Sequence, residues 1–151
     1  MQNITPFLWF DGRVEEATNL YTSLFPNSKV LFINKGPDGK AMWANVSLNG
    51  SEYMLFNGGP SEYKFNESIS FFVKCKDQEE VDKYWNTLTS NGGEEGQCGW
   101  LKDKFGVSWQ IVPDALSECL SNPNPVKAGK AMQAMLKMKK LIVKDLYDSM
   151  E

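Results

Sequence analysis

No histidine occurs among the 151 residues. Histidine is the commonest metal ligand and the side chain that most readily moves a proton near neutral pH. Its absence removes imidazole from any metal site or acid–base pair. Cysteine is scarce: Cys75, Cys98 and Cys119 are odd in number, far apart, and form no CxxC pair. That pattern excludes a disulfide framework and the usual zinc spacing, and implies free thiols in a reducing cytoplasm. No run reaches the roughly 18 apolar residues that a membrane-spanning helix needs, and the opening MQNITPFLWF lacks the basic segment and cleavage site of a signal peptide. A surplus of positive charge is also missing. The formal net charge is −3, and acidic residues elsewhere outweigh Lys137, Lys139, Lys140 and Lys144 near the end. A nucleic-acid partner is therefore not expected, nor is a membrane.

Hydrophobic residues, by contrast, make up 42% of the chain and aromatic residues 13%, ample for a packed interior. They are also organised. ITPFLWFDGRVEEATNLYTSLFPN, from Ile4 to Asn27, aligns with SISFFVKCKDQEEVDKYWNTLTSN, from Ser68 to Asn91. Phe7 meets Phe71, Glu15 and Glu16 meet Glu79 and Glu80, Tyr21 meets Trp85, and Leu24 meets Leu88. Each copy reads as a strand, then an acid-started amphipathic helix, then more strands. Two βαβββ modules are expected in one domain, spanning about 1–60 and 67–113, with a helical tail over about 114–151.

Within the first copy, Ile4 to Phe10 reads as a strand. Val14, Ala17, Leu20, Tyr21, Leu24 and Phe25 then recur at helical spacing up to Pro26. Lys29 to Lys35, Ala41 to Leu48 and Tyr53 to Phe56 read as strands, the last two joined by Asn49-Gly50, which favours a tight type I′ hairpin. Asn57-Gly58-Gly59-Pro60 opens an irregular loop. In the second copy, Ile69 to Cys75 is a strand, and Asp77 with Glu80 makes a capping box for a helix burying Val81, Tyr84, Trp85 and Leu88. Gln97 to Leu101 and Val107 to Val112 form a hairpin in a shortened version of the first plan. Beyond Pro113, Ala115 to Leu120 is a short helix, Asn122-Pro123-Asn124-Pro125 a breaker, and Val126 to Met150 a helix.

Three stretches carry a closer resemblance: ITPFLWFDGRVEEATNLYTSLFPNS, the NGGP loop, and GEEGQCGWLKDKFGVSWQIVP. They resemble the PhnB-like branch of the vicinal oxygen chelate superfamily of glyoxalases, bleomycin-resistance proteins and dioxygenases. That branch is often described as 3-demethylubiquinone-9 3-methyltransferase-like. The resemblance extends over essentially the whole chain, tail included. It implies an α+β fold in which two βαβββ modules form a glyoxalase-like curved mixed sheet, and it implies a homodimer. In metal-dependent relatives four ligands come from the first and last strands of each module. Those positions fall near Thr5, Tyr53, Ser70 and Gln110 here, and none is His, Asp or Glu. A divalent cation needs three or four such groups together, so no metal and no other cofactor is expected. Methyl transfer would call for a glycine-rich loop between a strand and a helix. Gly58-Gly59 follow a hairpin and Gly92-Gly93 follow a helix.

Strand alternation puts Thr5, Phe7 and Trp9 on one face of the first strand, with Tyr53, Ser70, Phe72 and Gln110 on the ligand-equivalent face of the others. These seven residues are the candidate lining of an aromatic cavity for a small, partly aromatic molecule. The competing reading makes them core. Cys98 lacks an activating base and reads as structural, and Glu94 and Glu95 read as solvated charges on a loop. An enzyme of the superfamily type, or one with the methyltransferase-like activity, is the alternative to a binding protein.

Overall fold

The alternation expected of the first apolar run holds over Phe7–Phe10 (β1), where Leu8 and Phe10 are buried and Phe7 and Trp9 exposed. It does so in a computed structural model that describes residues 3–151, so the first two positions of the expected first module lie outside the described residues. The strand is shorter than the apolar run because it starts after Pro6, whose carbonyl accepts the Met54 N–H at 2.9 Å. Helix α1 covers Val14–Leu24 and buries Val14, Ala17, Tyr21 and Leu24. Strands β2 (Lys29–Lys35), β3 (Ala41–Leu48) and β4 (Ser51–Asn57) complete the first unit, Met1–Lys64. The Asn49-Gly50 turn has positive φ at both residues, 47° and 90°, as a type I′ hairpin requires.

The second unit, Phe65–Glu151, repeats the plan with β5 (Phe71–Cys75), α2 (Gln78–Thr89), β6 (Glu94–Glu95), β7 (Trp100–Lys102) and β8 (Ser108–Pro113). Each unit holds a four-stranded mixed sheet in the same order: β1-β4-β3-β2 and β5-β8-β7-β6. In each, the first and last strands of the module run parallel and the others antiparallel. The α+β class and its βαβββ repeat are therefore as the sequence indicates. The repeat reaches the backbone beyond α1 and α2, where the aligned Asn27 and Asn91 both adopt left-handed conformations, φ 53° and 55°. Asparagine is among the few non-glycine residues that do so readily. The four residues expected on the buried face of α2 are the four found there. Its capping box closes with a shift: Asp77 accepts the Glu80 N–H, but Glu80 accepts the N–H of Lys76, one residue before the cap.

Three expectations need correction. Glu94 and Glu95 form a short strand paired to Lys102 and Leu101, and Glu95 accepts the indole N–H of Trp85 at 3.0 Å. Gln97 to Gly99 are not strand. Cys98 and Gly99 turn through positive φ, 56° and 85°, and their N–H groups donate to the carbonyls of Met138 and Lys139, each at 2.8 Å. The tail is not one helix but three elements, α3 (Asp114–Leu120), α4 (Pro125–Met135) and α5 (Val143–Asp148). Helix propensity over Val126 to Met150 is overridden where the Met138 and Lys139 carbonyls are spent on that turn. Nearby, the Gln78 amide donates to the Leu141 carbonyl at 3.1 Å and accepts the Val143 N–H at 2.7 Å. The break drives Leu141 into an apolar cluster with Val112, Leu116, Cys119, Ala131 and Leu146.

Candidate functional site

Helix α1 lies on β3 and β4, burying Leu8, Phe10, Ala44, Val46 and Leu55 beneath it. The opposite face of the first sheet is open and aromatic. Phe7, Trp9, Phe32 and Trp43 are all substantially exposed there, and Phe56 joins them through its pairing with Trp9 and Trp43. The Phe56 ring lies 5.4 Å from Phe7 and 5.6 Å from Trp9, the latter edge to face. Tyr63 meets Trp9 edge to face at 6.4 Å.

Trp9 is 40% exposed but held in place. Its indole N–H donates to the Gly59 carbonyl at 3.2 Å, and its ring lies so close to the loop that a Cβ at Gly58 would stand 2.0 Å from Cε2. Asn57 fastens the same loop, accepting the N–H groups of Gly12 at 2.8 Å and Gly59 at 3.3 Å. The NGGP motif is thus a seat for an exposed indole. A Trp fixed by hydrogen bond and packing loses little entropy when a flat molecule stacks on it.

The other sequence candidates divide. Thr5 is half-buried just ahead of β1. Tyr53 sits opposite Val46 and two residues from Leu55, both fully buried, which puts it on the helix-covered face and not with Phe7 and Trp9. Burial raises the pKa of its phenol. Ser70, Phe72 and Gln110 do come together on the second sheet: Gln110 Nε2 donates to Ser70 Oγ at 2.9 Å, and Phe72, 60% exposed, stands opposite Gln110. The sheet's other face carries buried Leu101, Trp109 and Ile111, with α2 packed on β7 and β8.

These residues do not fit a divalent metal. Tyr53 lies on the helix-covered face of its own sheet, the Ser70 oxygen already accepts the Gln110 amide, and among the described residues no three His, Cys, Asp or Glu side chains gather. Nor do the glycine pairs form a cofactor cradle. Gly58-Gly59 follow β4 and lead to a loop before β5, and Gly92-Gly93 lie between α2 and β6.

Sequence reasoning missed a pocket of about 560 Å³ on the open face of the second sheet. Glu67, Glu94, Cys98, Trp100, Lys102 and Ser108 are among the residues that line it. Lys102 Nζ lies 2.6 Å from Glu67 Oε1. That bond lowers the Glu67 pKa and raises that of Lys102. The signal was in the DKFGVSW stretch, whose Asp103 is 2% exposed and shapes the β7–β8 turn. It accepts the N–H groups of Phe105 and Val107 at 2.9 and 3.1 Å and the Trp109 indole N–H at 2.9 Å. Asp103 is therefore an architectural carboxylate.

The family model described as 3-demethylubiquinone-9 3-methyltransferase matches residues 2–112. The match stops before the tail, which the sequence resemblance had included. A PhnB protein from Bacillus cereus is 34% identical, the alignment covering 74% of this chain and 99% of that one at a TM-score of 0.70. Two more distant structures share the fold. One is a protein from Pseudomonas aeruginosa, 20% identical, covering 75% of this chain and 98% of that one, TM-score 0.60. The other is the fosfomycin resistance protein FosX from Listeria monocytogenes, 15% identical, covering 80% and 98%, TM-score 0.56. No curated protein matches the chain. The chain belongs to the 3-demethylubiquinone-9 3-methyltransferase-like, or PhnB-like, family.

Proposed function

We propose that the protein binds a small, partly aromatic molecule on the open face of its first sheet, without the metal that many superfamily members use. The observation that carries this reading is Trp9: an indole 40% exposed, hydrogen-bonded to Gly59, and seated on Gly58 between Phe56 and Tyr63. Core aromatics are buried, whereas this one is held at the surface. Stacking on such a ring contributes about 0.5–1.5 kcal/mol beyond the area buried, and Phe7, Phe56 and Trp43 extend the apolar platform. We extend the proposal to a cytoplasmic homodimer, to be recognised in sedimentation by twice the 17.1 kDa chain mass.

The test is thermal stabilisation across a panel of aromatic metabolites. Compounds that raise the melting temperature of the native protein will lose that effect with Trp9→Ala and keep most of it with Trp9→Phe. A panel that stabilises neither protein, or stabilises the Ala variant equally, would remove the proposal.

A further inference from the structure

We propose that the pocket on the second sheet is a site for a small organic cation, a protonated amine on an apolar or aromatic body. Two carboxylates, Glu67 and Glu94, line it against one ammonium, Lys102, while Glu95, paired with Leu101, turns to the helix-covered face. Lys102 is already occupied by Glu67 at 2.6 Å. Glu95 accepts the Trp85 indole N–H and has Lys139 at 4.0 Å. The Glu94 side chain, across the strand pair from Lys102 and close enough for its charge to help raise the Lys102 pKa, makes no hydrogen bond or ion pair among the described residues. The lining therefore keeps an excess of negative charge with one carboxylate uncommitted.

Carboxylates alone would describe a solvated surface. The second feature is Ser108, in the pocket lining and on the same sheet face as Lys102, its partner across the ladder. It is 2% exposed, and its hydroxyl oxygen has no hydrogen-bond partner. A buried polar group left unmatched is costly. An ammonium brings three donors and no acceptor, so it matches both the Ser108 oxygen and the Glu94 carboxylate. Trp100 offers an indole to the cation or to its apolar body. An anion would meet Glu94, and a neutral guest would leave its charge uncompensated. The volume, about 560 Å³, suits a small molecule.

The pocket also contains its own reporter. Cys98 lines it and is half-buried, whereas Cys75 and Cys119 are buried. Burial pushes the Cys75 thiol up to about 12 and raises that of Cys119. Uncharged N-ethylmaleimide at about pH 8 will therefore label Cys98 first in the folded protein. The labelling rate, read by mass spectrometry, is compared in benzylamine, benzyl alcohol and benzoate. Benzylamine is expected to slow labelling saturably, by about threefold or more, and the two isosteres to leave it unchanged. With each protein's labelling taken relative to its own unprotected rate, Glu94→Gln should raise the benzylamine concentration for half-protection roughly tenfold. Equal protection by benzoate or benzyl alcohol, no protection by benzylamine, or an unchanged midpoint in Glu94→Gln would each overturn the proposal. Trp9 variants do not enter this test, so its failure is separable from failure of the aromatic site on the first sheet.

Discussion

Replacing Gly58 by Ala puts a methyl group where the Trp9 ring lies. The new Cβ would stand 2.0 Å from Cε2 and 2.4 Å from Cζ2 and Nε1. Gly58 is not among the residues with positive φ, so the backbone itself accepts alanine. The cost is thus almost entirely the displaced indole. Moving it gives up the bond to the Gly59 carbonyl, about 0.5–1 kcal/mol at an exposed position. It also disturbs the edge contacts with Phe56 and Tyr63, worth about 0.5–1.5 kcal/mol each in full. Against this, alanine restricts the unfolded chain and returns about 0.4–1 kcal/mol. The net loss should be about 1–2 kcal/mol, within the range for overpacked sites. With Trp9→Ala already in place the clash is gone, and Gly58→Ala should be neutral or slightly stabilising. Urea denaturation of the native protein, both single variants and the double variant measures the coupling, expected at about 1.5–3 kcal/mol. Equal cost of Gly58→Ala in both backgrounds, with coupling below about 0.5 kcal/mol, would show that the loop is not a seat for Trp9.

Asp103→Ala removes the acceptor for two backbone N–H groups and the Trp109 indole. It should cost about 3–5 kcal/mol in chemical denaturation; a cost under about 1 kcal/mol would contradict its architectural role. Gln78→Ala unties the Leu141 carbonyl and the Val143 N–H. Amides of α5 should then exchange faster while those of β5 keep their protection, and unchanged exchange would place the anchor elsewhere. The Cys75 thiol is pushed up from an ordinary 9.0 to about 12, chiefly by burial and then by the Glu80 charge. The folded state therefore holds its proton more tightly, and this contribution is complete below pH 9 and lost as pH rises towards 12. Cys75→Ala should flatten the fall in stability across that window, and an unaltered slope would show that the thiol is not its source.

The elements that sequence reasoning located well owe their form to local patterning. The apolar spacing of α2, the Asn49-Gly50 turn and the seven residues of β2 each depend on neighbours in the chain. Tyr53 was misplaced because its face is set by the register of β4 against β3, where it meets Val46. The tail was misjudged for a similar reason. Its helix propensity is strong, but Cys98, Gly99 and Gln78 capture its backbone from a distance. The pocket was hidden because Glu67, Glu94 and Ser108 are scattered in sequence and converge only in the folded sheet. Phe7 and Trp9 were legible as sharing one face of β1 because alternation along a short strand survives folding intact.

Crystals grown with a compound that stabilises the native protein but not Trp9→Ala test the central reading most directly. Electron density for a ring stacked against the Trp9 indole, beside Phe56 and Tyr63, is the predicted result. Density for the compound at any other place, with the Trp9 face vacant, would contradict it.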